Sequence, residues 1–207
     1  HAYLLYIKMD RGKRVIWRLN SIRTELAKLH LLIRNNSLNE DLFLPHQKIK
    51  QLVRLHNTKI NSSYKEYIEL AELAEKKAMP YEKVLCHGDL WEGNILNLGK
   101  GKSVLIDYDK AILYVSAYDY VYYFLMSRIL PKKVAIETIL ERIEEYCKTI
   151  LIIFRKYKLE SSYGVFSDGE IKLSLYMFCV LKLAEQDLHF SKPGKSLKIL
   201  KSGINYI

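Results

Sequence analysis

Two carboxylates and one carboxamide near the middle of the chain stand at a spacing suited to handling a phosphate and its metal. Asp89 and Asn94 lie five positions apart in the run His87-Gly-Asp-Leu-Trp-Glu-Gly-Asn94, and Asp107 follows 13 residues after Asn94, at the end of the apolar run Val104-Leu-Ile106. Phosphoryl transfer needs a carboxylate to orient the attacking hydroxyl and oxygen ligands for a magnesium ion that bridges the phosphates. An Asp and an Asn on one loop can meet both needs, and an Asp on the next strand can return to the same metal. Gly88 and Gly93 are expected to allow backbone conformations that other residues resist, which suits a loop bent around a site.

The flanking segments read as the supports of that loop. Lys83–Cys86 and Asn94–Leu98 are short strand-like pieces, and Gly99-Lys-Gly101 turns the second of them into Ser103–Asp107. Upstream, Tyr3–Met9 reads as a strand. Ser21 is placed to cap a helix carrying Ile22, Leu26, Leu29 and Ile33 at helical spacing. Further helices are expected over Pro45–Asn57 and Ser63–Ala78, the latter stopped by Pro80. Downstream, Ser116–Leu130 and Pro131–Tyr157 read as one helix each. Ser167 and Glu170 form a capping-box pair opening a helix that runs to about His189. The predicted class is α+β, mainly α, with a small central hairpin bearing the unusual residues.

Composition narrows the alternatives. The 207 residues, 49% of them hydrophobic, suffice for one well-packed core. The apolar runs are far shorter than the roughly 20 residues of a membrane-spanning helix. Cys86, Cys147 and Cys179 are odd in number and widely spaced, which favours reduced core thiols and a cytoplasmic setting. The net charge of +10 belongs to the ends: residues 1–60 hold 12 Lys and Arg against 4 Asp and Glu, and residues 191–207 hold 4 Lys and no acid. A solvated Lys-rich surface explains this better than nucleic-acid binding, for which no aromatic or zinc-finger signature is present.

The phrase His87-Gly-Asp-x-x-x-x-Asn-Ile-Leu96, followed by Ile106-Asp-Tyr-Asp109, resembles the paired motifs of the aminoglycoside phosphotransferase, choline kinase and fructosamine kinase superfamily, a relative of protein kinases. Leu26-Ala-Lys-Leu-His30 is similar to the first helix of that superfamily's C-terminal lobe, and Ala117-Tyr-Asp119 to its helix-borne Asp motif, where Tyr114-Val-Ser116 replaces the usual Gly-Asp-Pro. The resemblance implies a protein-kinase-like C-terminal catalytic lobe. Asp89 would be the catalytic base and His87 a structural brace of the catalytic loop. Asn94 and Asp107 would hold Mg2+ and the nucleotide phosphates, Asp119 would support the loop through hydrogen bonds, and Asp109 would be an auxiliary near the metal.

On this reading residues 1–20 are a hinge strand and linker, and residues 21–207 are the helical lobe. No glycine-rich phosphate loop and no strand Lys paired to a helix Glu precede it, so the N-terminal β-lobe is expected to be absent. Self-association, or a partner supplying that lobe, is expected in turn. The activity implied is transfer of the γ-phosphoryl group of ATP or GTP to a hydroxyl of a small molecule, with a sugar-like or lipid-linked acceptor favoured over a polycationic aminoglycoside. The rival readings are a non-catalytic kinase-like scaffold and, further off, a nucleic-acid module. His30 and His56 read as helix-borne core residues, Trp91 as a cleft or pocket filler, and Tyr118, Tyr120, Tyr122 and Tyr123 as packing material.

Overall fold

The computed structural model describes residues 19, 21–32, 39–55, 62–99, 102–126, 135–160, 164–190 and 195–207. The strand expected over Tyr3–Met9 and His56 lie outside these residues. Helix α1 covers 21–32, with Ile22, Leu26 and Leu29 buried as their spacing requires. Leu19 already has helical backbone and is fully buried, so Ser21 is not the N-cap that the sequence suggested.

A short 3-10 turn (Glu40–Phe43) leads into α2 (Pro45–Leu55) and α3 (Ser62–Lys77). Then come β1 (Lys83–Cys86), β2 (Ile95–Gly99), β3 (Lys102–Leu105) and β4 (Ile112–Val115). The remainder is helical: α4 (Tyr118–Met126), α5 (Ile136–Glu141), α6 (Ile143–Lys156), α7 (Asp168–Phe190) and α8 (Lys195–Gly203). No helix among the described residues is long and apolar enough to cross a membrane.

The strands form two antiparallel pairs. Strand β2 pairs with β3 as the expected hairpin, Ile95 opposite Leu105, while β1 pairs with β4, Cys86 opposite Ile112. Strand β4 is an element that the sequence reading did not assign; there Tyr114-Val-Ser116 stood only as the replacement of the usual Gly-Asp-Pro. All four of its residues are buried, so it shows none of the in-out alternation that marks a half-exposed strand. A second departure lies at Arg142, where φ −123° and ψ 31° break the single helix expected over Pro131–Tyr157. The redirected chain buries Leu140 before the break and Ile143 after it.

Helix α7 is the axis of the lobe, with α2, α3, α4, α5, α6 and α8 packed on it. Its start shows the predicted capping box: the Glu170 N–H donates to Ser167 Oγ (3.2 Å), and the Ser167 N–H donates to Glu170 Oε2 (2.9 Å). Such a cap contributes on the order of 1 kcal/mol. The core is rich in tyrosine, and Tyr118, Tyr120, Tyr122 and Tyr123 are all buried in it. Their hydroxyls need partners, and the partner of Tyr122 lies on the loop between β1 and β2.

Candidate active site

The loop from β1 to β2 carries the residues singled out from the sequence, and a circuit of hydrogen bonds fixes its path. It starts at Asp119, fully buried in the first turn of α4, whose carboxylate accepts the backbone N–H of His87 (2.7 Å) and of Gly88 (3.1 Å). The His87 ring reaches across to the Ile106 carbonyl (2.8 Å), which only accepts, so Nε2 carries the proton. The Ile106 N–H donates to the Asn94 carbonyl (3.1 Å), and Asn94 Nδ2 donates to the Asp89 carbonyl (2.9 Å). Asp89, Asn94 and the segment leading to Asp107 are thereby held as one unit.

Burial pushes the Asp119 carboxyl up, and the His87 ring and the two N–H donors pull against it. His30 lies beneath, with Nε2 4.0 Å from Asp119, and burial lowers its imidazole to about 4, so it is neutral near pH 7. His30, Cys86 and Asp119 bring three donor atoms within 4.8 Å of one another. Both Asp119 oxygens are already engaged, and burial pushes the Cys86 thiol well up, so the trio is core packing rather than a cation site. Removing the carboxylate in Asp119→Ala leaves two buried amides without acceptors, each costing roughly 1–3 kcal/mol. The melting temperature should fall by several degrees, read by circular dichroism, and an unchanged value would take Asp119 out of the circuit.

Gly88 and Gly93 are glycines for different reasons. Gly88 has φ +79°, and a Cβ there would lie 1.7 Å from the Lys110 carbonyl oxygen. The backbone of Gly93 is not left-handed; the space its Cβ would need is filled by the Trp91 indole, 2.4 Å away. The conformational freedom expected at both glycines therefore applies only to Gly88.

The Asp89 carboxylate, about one-sixth exposed, lies against Tyr122, Lys110 and Lys182, three residues that line a cleft. The Tyr122 hydroxyl donates to its Oδ1, and burial holds that phenol far above its usual pKa, so it stays a donor. Lys110 Nζ stands 3.6 Å from Oδ2 and Lys182 Nζ 3.9 Å from Oδ1. Asn94 is buried, and with its Nδ2 committed, its Oδ1 is the atom left for a cation. Asp107 is exposed, and its φ of +64° turns the chain out of β3, two residues sooner than the strand expected to run to Asp107. Its carboxylate makes no hydrogen bond or ion pair among the described residues. An amide oxygen and an open carboxylate are hard oxygen donors of the kind magnesium takes. Asp109 is exposed and lies with Lys48 at the cleft, where Lys48 Nζ donates to its carbonyl (3.3 Å). The cleft encloses about 90 Å³ between α2, β4, α4 and α7.

Tyr122, Lys110 and Lys182 were not found by sequence reasoning. Tyr122 had a weak signal, since it lies one helical turn after Asp119 on the same face of α4. Lys110 and Lys182 had none, because 72 residues separate them and only the packing of α7 brings them to one carboxylate.

The comparisons with known proteins bear on family and fold. No curated protein matches the chain. The solved structure of the choline kinase LicA from Streptococcus pneumoniae matches with a TM-score of 0.56 at 16% identity, over 95% of this chain and 66% of that one. That likeness establishes a choline-kinase-like fold, and this chain spans just under two thirds of that relative's length. The sequence model of the phosphotransferase enzyme family matches residues 22–153, from α1 through the whole loop circuit into α6. Well over half of the sequence is thus covered, including every residue of the hydrogen-bond circuit from Asp119 to Asp89, and the chain belongs to the phosphotransferase enzyme family.

Proposed function

We propose that this protein transfers the γ-phosphoryl group of a nucleoside triphosphate, ATP or GTP, to a hydroxyl of a small sugar-like or lipid-linked acceptor. The observation that carries the reading is the circuit running from Asp119 through His87, Ile106 and Asn94 to Asp89. It ties the backbone of Asp89 to Asn94 and to the residue before Asp107, which supports a carboxylate and two oxygen donors acting together in an in-line displacement. Asn94 Oδ1 and the Asp107 carboxylate would hold magnesium, which when bound neutralises charge on the phosphates. Asp89 would take the acceptor hydroxyl proton as the new O–P bond forms. The bond from the γ-phosphorus to its bridging oxygen breaks, and the nucleoside diphosphate leaves with that electron pair. Tyr122 occupies Asp89 Oδ1, so Oδ2 is the oxygen for the acceptor. His87 and Asp119 act as positioning residues, and Asp109 as an auxiliary at the cleft.

An exposed apolar strip on the hairpin supports a place for the base of the nucleotide. Leu96, Leu98 and Val104 lie exposed on the hairpin, with Leu96 directly opposite Val104, between Asn94 and Asp107 in the chain. An apolar strip beside two metal-ligand candidates suits a flat aromatic ring. Residues 1–20 are read as the hinge and linker on the nucleotide side, and 21–207 as the catalytic lobe. Three free, buried cysteines support the cytoplasmic setting. The test is transfer of label from γ-labelled nucleotide to a panel of hydroxyl compounds. Magnesium-dependent labelling of an acceptor is expected, and absence of any label in a folded protein that binds the nucleotide would favour a non-catalytic scaffold.

A further inference from the structure

Three ammonium groups line the cleft beside Asp89: Lys48 from α2, Lys110 from the turn before β4, and Lys182 from α7. Glu185 bridges two of them, with Oε1 2.9 Å from Lys110 Nζ and Oε2 3.2 Å from Lys182 Nζ. The other carboxylate these two share is Asp89, which loses its charge when it takes a proton. Lys48 is less well compensated. It is half-buried, and burial lowers its pKa against the opposing pull of Asp109; its hydrogen bond goes to a neutral backbone carbonyl. A partly desolvated ammonium resting on a neutral oxygen gains from a nearby anion. Lys182 also lies over the Tyr122 ring, 5.2 Å from its centroid, so the aromatic face next to the base already holds a cation. A positively charged acceptor would meet three ammonium groups whose charge Glu185 and Asp109 only partly offset once Asp89 is protonated, and would find that face taken. Leu52 and Leu181 give the same cleft apolar walls for a carbon skeleton.

Resting on the phosphotransferase reading, we infer that the acceptor is a small hydroxyl compound bearing a phosphate or carboxylate group, which Lys48, Lys110 and Lys182 hold beside Asp89, and that ammonium-bearing acceptors are excluded. The anionic group anchors the molecule, the apolar walls take its skeleton, and the hydroxyl faces Asp89 Oδ2.

The test is calorimetric titration with four probes at fixed ionic strength: glycerol 3-phosphate, glycerate, glycerol and choline. Both anionic probes should bind at least about ten-fold more tightly than glycerol, with no saturable binding of choline. Lys182→Met and Lys48→Met should each lower affinity for the anionic probes about ten-fold and leave glycerol unchanged. Lys48 sits at the surface of α2, so Lys48→Met keeps the test open if Lys182→Met does not fold. Choline binding as tightly as glycerol 3-phosphate, or anion affinity unchanged in both variants, would overturn the inference. Magnesium-nucleotide binding, measured on the same samples, separates the two levels. If it is intact while choline is preferred, the inference alone falls. If it is missing while anion binding still depends on both lysines, the anion site stands and the phosphotransferase reading falls.

Discussion

Asp89→Asn should fold as the parent does and lose turnover by a factor on the order of 10³ or more. A general base contributes typically about 10²–10⁴ in rate, and a carboxamide cannot take the acceptor proton. The substitution is nearly isosteric, and the Asn94 Nδ2 bond goes to the backbone carbonyl of residue 89, so the loop circuit survives it. The Tyr122 hydroxyl can still donate to the amide oxygen. Stability should therefore change little, because only the ion pairs with Lys110 and Lys182 are weakened, and Lys110 is 43% exposed. Steady-state phosphate transfer beside a thermal melt checks both halves. A folded variant with near-parental turnover would remove Asp89 from proton transfer.

Gly88→Ala should abolish activity by a different route, through the backbone. Two costs coincide: a left-handed φ of +79°, and a Cβ placed 1.7 Å from the Lys110 carbonyl oxygen. Nothing flexible can give way, because the obstacle is backbone next to the start of β4, and β4 is pinned to β1 with Cys86 opposite Ile112. Either the strand pair separates or Gly88 swings off Asp119, breaking the circuit at its first link. A loss of several kcal/mol is expected, in the range reserved for backbone strain combined with core disruption. Gly93→Ala is the matched control. Its clash is with the half-exposed Trp91 side chain, which can rotate away, so the effect should be much smaller. Melting temperatures of the two variants separate these cases, and equal losses would contradict the reading of Gly88.

How much of this was legible in the sequence depends on chain distance. Asp89, Asn94 and Asp107 are set by local spacing on a loop and a hairpin, so residue types and intervals sufficed to pick them out. Asp119 was reached through resemblance, since nothing in its own neighbourhood shows that its carboxylate accepts from residues 87 and 88. Tyr122 was read as packing, which it is, yet its hydroxyl ends on the Asp89 carboxylate. Lys110, Lys182 and Glu185 were out of reach because their meeting depends on the register of α7 against the loop. The fold errors share a cause. Strand β4 is too short and too thoroughly buried to show periodicity, and the break at Arg142 has no Pro or Gly to announce it. The central hairpin, helices α1 to α4 and the capping box at Ser167 were visible, because each rests on interactions within a few residues of chain, whereas α8 was not read from the sequence.

The most direct test of the account is nucleotide affinity with and without magnesium, measured in the parent and in Asp107→Ala. Asp107 carries an open carboxylate on a backbone with φ +64°, and in the proposed mechanism its one task is to hold the metal against the phosphates. Removing an anionic oxygen ligand from a site with few protein ligands should weaken magnesium-dependent binding at least ten-fold and leave metal-free binding nearly unchanged. Equal weakening in both conditions, or no dependence on magnesium in the parent, would contradict the assignment of this loop to metal-assisted phosphoryl transfer.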